Sequence, residues 1–292
     1  MRILVVGALG QVGHALVASA TNLGLQVLAV DHKQLDITKS TAVQDYVRAQ
    51  TPDIVINAAA YTAVDKAETE PQQALAVNAH GPGNLAAACL QQQIPLIQLS
   101  TDYVFDGTLG RPYCEDDAAA PLNVYGKSKW QGERAVRQVT DQHIIMRVSG
   151  VFGPHGSNFV KTILRLAGER DQLRVVADQA TCPTSAQDIA DVIISMVRRI
   201  ADTDPVPWGT YHYCGTPATT WYGFASAILE IASQQQSLMA KTVTAITTEE
   251  FPTAARRPAN SVLDCSRLEQ ALNIQRHSWK ESLPAVIHEL QK

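Results

Sequence analysis

The chain has 292 residues, 46% hydrophobic and 18% charged, which is enough apolar material for one large α/β domain or a main domain with a smaller lobe. Its 24 Lys and Arg against 28 Asp and Glu leave a formal charge of −4, so no basic surface is offered to a phosphate backbone and nucleic acid is not an expected partner. Five widely spaced cysteines without a C-x-x-C pair suggest neither a disulfide framework nor a zinc site, and they fit a reducing cytosol.

The opening "MRILVVGALGQVG" carries an apolar run of about four residues, too short for a signal segment or a membrane span, so a soluble, unprocessed, cytoplasmic chain without a membrane partner is expected. After this first strand Gly7, Gly10 and Gly13 fall three apart and open a helix. Glycine lets the backbone turn sharply and approach a pyrophosphate, whose charge the helix amides then meet. The second strand, "LQVLAVD", ends in Asp31. A carboxylate there accepts hydrogen bonds from the ribose of NADH and repels the phosphate of NADPH, while His32 and Lys33 offset that repulsion. NADPH or NADH is therefore expected, with neither favoured.

Further along, helix patterns after "DITKS" and from about Pro71 alternate with the apolar runs "DIVINAAA", "IPLIQLS" and "HIIMRVSGVFG". Such alternation predicts a Rossmann-type, doubly wound parallel sheet with helices on both faces, assigned here to a dinucleotide-binding domain over residues 1–150. Past residue 150 the rhythm loosens around "ADTDPVPWGT" and "FPTAARRPANS", with later strands at "LRVVAD" and "GTYHYCG". Residues 151–292 read as a smaller substrate-binding lobe, interleaved because some segments return to the first domain.

"LSTDYVFDG" sets Ser100 and Thr101 at the carboxyl end of a strand, where open α/β sheets build their sites. "LNVYGKSKWQGE" then places Tyr125 four residues before Lys129. Alone, such a pair is two neighbours on a helix face. Beside a nicotinamide, a phenol can serve as a general acid and a nearby ammonium can lower its pKa, so the expected catalytic set is Thr101, Tyr125 and Lys129. Bland readings suit other residues: Lys66 and Glu68 as a helix start, with Asp65 open between that role and a site role, Trp130 and Trp221 as helix-face packing, Cys89 as a core thiol. Eight histidines without H-E-x-x-H spacing, and an "EDD" run read as a solvated turn, lead to no expected catalytic metal.

"GALGQVG", "VINAAAYTAVDKAE", "STDYVFDG", "PLNVYGKSKWQGE", "NFVKTILRLA", "TTWYGFA" and "RRPANSVLD", in this order, resemble the dTDP-4-dehydrorhamnose reductases, a family of extended short-chain dehydrogenase/reductases. The resemblance implies reduction of the 4-keto group of a dTDP-sugar by NAD(P)H, with Tyr125 protonating the alkoxide, Thr101 hydrogen-bonding it and Lys129 holding the nicotinamide ribose. It further implies a cofactor groove of Gly7, Gly10, Gln11, Val12, Gly13, Asp31, Asp36, Ala58, Ala59 and Ala60. Thr62, Val64 and Asp102 would lie near the sugar, and Asn158 and Arg257 near the diphosphate. Three departures stand out: Gly150 where a Trp is common, "ADQATCPTS" over 177–185, and Ala15 and Gln187 where magnesium-bridged relatives carry glutamates, leaving Glu289. A monomer or weak homodimer without magnesium is expected. Two rivals are a 4,6-dehydratase, which would need a carboxylate where Tyr103 follows Asp102, and a non-catalytic subunit like the regulatory partner of methionine adenosyltransferase.

Overall fold

The computed structural model describes residues 1–202 and 206–291; residues 203–205, inside the "ADTDPVPWGT" stretch, lie outside the described residues. Strands β1 (Arg2–Val6), β2 (Gln26–Val30), β3 (Ile54–Asn57), β4 (Leu96–Thr101) and β5 (His143–Val148) join a sixth, Gly209–Tyr213, in one parallel sheet. Its spatial order runs from Gly209–Tyr213 through β5, β4, β3 and β1 to β2. β3, β4 and β5 are buried at every residue, their polar Asn57, Gln98, Ser100, Thr101, His143 and Arg147 included, because helices cover both faces.

One face packs helices Gln11–Asn22 and Ala186–Asp202 around Ile3, Val5, Ile56, Met146 and Ile193. The other packs Ser40–Gln50, Gly81–Gln92 and Val124–Val139 around Leu4, Val55, Leu85 and Leu96. Because the chain leaves β1 for β2 on one side and returns to β3 on the other, a crevice opens at the carboxyl ends of β1 and β3. A second core gathers Phe152, from the short strand Val151–Phe152, with Ile163, Phe224, Ile228, Trp279 and Leu283 from helices Phe159–Glu169, Trp221–Ser233 and Trp279–Leu290. The late helix Ala186–Asp202 and the late strand Gly209–Tyr213 belong to the first sheet, so the two halves interleave.

The helix expected from Pro71 is not uniform. It runs as Pro71–Leu75, widens into a π turn over Ala76–His80, and resumes as Gly81–Gln92. The π turn contains Asn78, whose Nδ2 donates to Ser128 Oγ (3.0 Å) and the Tyr61 carbonyl (2.9 Å) while its Oδ1 accepts from the Tyr61 amide (2.8 Å). A Cβ on Gly132 would stand 2.0 Å from the Asn78 carbonyl oxygen, so only glycine lets the two helices approach this closely. Such turns recur where a helix must direct one group out of register; here the group ties the loop after β3 to the helix bearing Tyr125 and Lys129.

Candidate active site

At the crevice, Gly7 has φ +81°, and a Cβ on it would lie 2.5 Å from the Ala59 amide nitrogen. The loops after β1 and β3 thus meet backbone to backbone. Gly10 donates to the Gly7 carbonyl (3.0 Å), and helix Gln11–Asn22 starts there with no side chain capping its first amides. Val12 is buried in the sheet core, so it offers its amide and not its side chain. An uncapped helix end beside a floor without side chains suits an anionic pyrophosphate, and the residues present fit a dinucleotide.

Gly13 is the tightest point of this glycine loop, since a Cβ on it would stand 2.1 Å from the Gly7 carbonyl oxygen. Gly13→Ala is expected to lower unfolding free energy by about 1–3 kcal/mol, the usual cost of overpacking, and to weaken cofactor binding with it. Urea melts alongside a fluorescence titration of NADPH check this, and an unchanged melt would show that the loop gives way freely.

Asp31 turns back on its own loop, its Oδ1 accepting from the Lys33 (2.8 Å) and Gln34 (3.0 Å) amides. Those bonds, the Gln34 amide foremost, with His32 and Lys33 charges adding, hold its carboxyl below the usual range despite desolvation. Oδ1 carries both bonds, which leaves Oδ2 for a ribose hydroxyl. Asp36 is spent locally, accepting from the Thr38 amide (3.0 Å) and hydroxyl (2.7 Å) before helix Ser40–Gln50. Ala58 donates to the Val6 carbonyl (2.9 Å) and Ala59 to Asn57 Oδ1 (3.1 Å), while Ala60 continues the same half-buried wall. Gln11 reaches across the crevice: its Oε1 accepts from Asn158 Nδ2 (2.9 Å). Asn158 also caps helix Phe159–Glu169 through the Lys161 amide (3.1 Å), so it joins the glycine loop to the second lobe.

The helix carrying Tyr125 and Lys129 is positioned at its first turn. Asn123 caps it, accepting from the Gly126 amide (2.8 Å) and donating to the Arg256 carbonyl (2.8 Å), and Glu68 Oε1 accepts the Val124 amide (2.8 Å). A Cβ on Gly126 would lie 2.1 Å from the Tyr103 carbonyl, which presses this turn onto the segment after β4. Tyr125 thereby faces Thr101, with the Tyr103 ring edge-on at 5.9 Å. Lys129 is 4% exposed and donates to the Leu99 carbonyl at 2.7 Å.

The spacing led us to expect that the Lys129 ammonium depresses the Tyr125 pKa. In the structure burial pushes the phenol up to about 12, with only the Thr101 hydroxyl drawing it back and the Asp102 charge adding to the rise. One proton of the ammonium goes to the Leu99 carbonyl, and the group's own pKa falls to about 8 through burial, partly restored by Glu133. A phenol that stays protonated is a proton donor at neutral pH, the form a carbonyl reduction requires.

Thr101 Oγ1 donates to Asp102 Oδ1 (2.9 Å) and accepts from the Tyr103 amide (3.2 Å). Asp102 is itself only 4% exposed, behind Thr101. Thr62 is exposed and Val64 half-buried on the loop and short helix after β3, at the same edge. Arg257 is held by Asp65 in a two-pronged pair (3.0 and 2.7 Å), which fixes its guanidinium in place; its neighbour Arg256 is exposed. Lys66 pairs with Glu70 (2.8 Å), Trp130 packs beneath Arg137 and Arg147, and Trp221 against Phe159, all as packing readings would have them.

Gly150 has φ +54°, and a Cβ there would meet the Cys182 carbonyl at 2.9 Å and Thr181 Oγ1 at 3.2 Å. An indole at 150 would thus require the 181–183 segment to move, which makes the small residue and the Ala-Thr-Cys-Pro stretch one packing solution. Ala15 sits in the sheet core, Gln187 donates to Ser19 (2.6 Å) and Asp191 (2.8 Å), and among the described residues no group of three or more His, Cys, Asp or Glu is gathered for a metal. Sequence reasoning missed Asn78, Asn123, Ser149 and the role of Glu68. Of these Asn123 was readable as an Asn immediately before a helix pattern.

The family model described as the RmlD substrate binding domain matches residues 1–292. A dTDP-4-dehydrorhamnose reductase of Aggregatibacter actinomycetemcomitans is 45% identical over 284 residues, 97% of either chain. The crystal structure of a dTDP-4-dehydrorhamnose reductase from Clostridium acetobutylicum superimposes with TM-score 0.93 at 39% identity, covering 100% of both chains. That of the Bacillus anthracis dTDP-4-dehydrorhamnose reductase, in complex with NADP, gives 0.91 at 36%, covering 99% of both.

Proposed function

The chain belongs to the RmlD substrate binding domain family, and from this we infer that it reduces the 4-keto group of dTDP-4-dehydro-L-rhamnose to give dTDP-L-rhamnose, using NADPH or NADH. The observation that carries the reading is the juxtaposition of Thr101, Tyr125 and Lys129 at the carboxyl edge of the sheet, across from a glycine floor fit for a dinucleotide. When bound, the nicotinamide supplies the hydride.

The amides of Gln11, Val12 and Gly13 take the pyrophosphate, Asp31 the adenosine ribose, and Ala58, Ala59 and Ala60 wall the groove. Asp36 supports the ribose side through its own turn. Lys129, fixed on Leu99, presents its remaining protons to the nicotinamide ribose. Tyr125 gives its proton to the developing alkoxide at C4, and Thr101 holds that oxygen. Thr62 and Val64 flank the sugar, Asp102 acts on it through Thr101, and Asn158 and Arg257 frame the diphosphate, Arg257 by way of its Asp65 clamp. Residues 1–150 bind the dinucleotide, and 151–292 mainly the sugar nucleotide. No described helix is long and apolar enough to cross a membrane, and we place the protein in the cytoplasm as a monomer or weak homodimer.

Loss of cofactor absorbance on adding dTDP-4-dehydro-L-rhamnose tests the reading; no oxidation of either cofactor, with binding demonstrated, would overturn it. A second expectation rests on Asp31, whose one free oxygen is offset by His32 and Lys33: both cofactors should work with modest preference. An affinity ratio beyond about a thousandfold, roughly 4 kcal/mol, would show that one neighbour dominates the ribose pocket.

A further inference from the structure

Asp102 is a buried carboxyl ringed by hydroxyls. Thr101 reaches its Oδ1 at 2.9 Å and Ser149 its Oδ2 at 2.7 Å, while Ser149 also lies 3.3 Å from Thr181 Oγ1. Thr101, Ser149 and Thr181 are all buried. Ser261 approaches from the C-terminal segment, and Tyr103 and Tyr125 are the titratable groups facing the carboxyl. Among the described residues no cation pairs with it: Lys129 is on Leu99, Arg257 on Asp65 and Arg147 on Glu133.

This arrangement constrains where one proton can point. A threonine hydroxyl donates once and accepts twice. With Asp102 ionised, the Thr101 proton goes to Oδ1, and Thr101 can then only accept, from the Tyr103 amide and from Tyr125. It has nothing to give a substrate oxygen. In the protonated state the Ser149 hydroxyl keeps Oδ2 as its acceptor when the acid proton sits on Oδ1, and that proton is then donated to Thr101. The Thr101 oxygen then accepts from Tyr103 and Asp102, and its own proton is released toward the substrate.

We propose that Asp102 is a positioning residue for the reduction: its carboxyl decides whether the Thr101 hydroxyl proton points back into the protein or out to the keto oxygen. The proposal rests on the reductase reading, since it needs a carbonyl oxygen between Thr101 and Tyr125. Burial lifts the carboxyl to about 6 against the pull of the Ser149, Ser261 and Thr101 hydroxyls, so the switch falls in an accessible pH range.

The test compares kcat and KM across pH for the wild-type chain and for Asp102→Asn and Asp102→Ala. An Asn amide donates to Thr101 and accepts from Ser149 at every pH, as the protonated acid does. Wild-type kcat is expected to fall about tenfold between roughly pH 5 and 7, because a lost oxyanion donor is worth at least that much. Asp102→Asn should hold its kcat level across that interval and exceed the wild type at pH 7, and Asp102→Ala should be slow throughout. An Asp102→Asn profile that keeps the wild-type decline, or drops by one factor at every pH, overturns the proposal. If the wild type does not turn over this sugar at all, the functional reading has failed instead. The carboxyl is then followed by infrared difference between wild type and Asp102→Asn, where absence of a protonated-acid band fading near pH 6 overturns the proposal independently.

Discussion

Tyr125→Phe is expected to lower turnover by at least about a hundredfold while leaving cofactor affinity within a few fold of the wild type. The substitution removes one hydroxyl and keeps the ring, so the edge contact with Tyr103 and the first turn of its helix survive. What disappears is the proton donor, and general acid catalysis is worth about 10²–10⁴ in rate. The loss should appear in kcat and kcat/KM together, as for an interaction made in the transition state. The pH profile adds a second check. With its phenol near 12, Tyr125 stays protonated through the neutral range, so the decline above about pH 7, beyond the step assigned to Asp102, belongs to Lys129, whose pKa lies near 8. Turnover should decline as pH rises through 8 and the ammonium is lost. Near-normal turnover in the Phe variant would sink the assignment of Tyr125 as acid.

Much of this site was legible in the sequence because its determinants are local. Glycines directly after an apolar strand, a hydroxyl at a strand end and a phenol one helical turn before an ammonium each imply their geometry within a few residues. What stayed hidden depends on distant segments. The π turn at Ala76–His80 leaves no periodicity of its own, and the Gly132 that its Asn78 carbonyl packs against stands on another helix. Glu68 looked like a helix-start charge, and it becomes a cap only because Val124 arrives 56 residues later. Arg257 was placed near the diphosphate by resemblance, and the Asp65 that holds it lies 192 residues earlier, beyond the reach of any local pattern. The direction of the Tyr125 shift failed for a related reason. Spacing reports that Lys129 is near, while burial and the Leu99 carbonyl decide what its charge does.

The largest stability effect is expected one turn beyond Lys129. Glu133 and Arg147 are almost wholly buried, and the Arg147 fork meets both carboxylate oxygens at 2.9 and 2.8 Å. Arg137 adds a bond at 2.6 Å and Ser100 one at 2.5 Å, while Arg147 lies over the Phe105 and Trp130 rings. Burial alone would raise the Glu133 carboxyl, but Arg147 and Arg137 outweigh it and hold it below the usual range. His212, 3.3 Å from Arg147, is driven down to about 4 by burial and then by that charge, so it is neutral and does not share the load. Glu133→Gln therefore strands a guanidinium in the interior and should cost about 3–5 kcal/mol in a urea melt. Glu133→Leu combined with Arg147→Met should recover most of that, because a matched buried pair gains little over apolar packing, and Arg137, 30% exposed, can turn to water. Activity should not recover with stability. Glu133 is what raises the Lys129 pKa against burial, so without it the ammonium titrates lower and the alkaline decline assigned to Lys129 moves to a lower pH than in the wild type. A single variant losing less than about 1 kcal/mol would show that the network is wet or adaptable; a double variant with an unmoved alkaline limb would show that Lys129 does not depend on Glu133 for its charge.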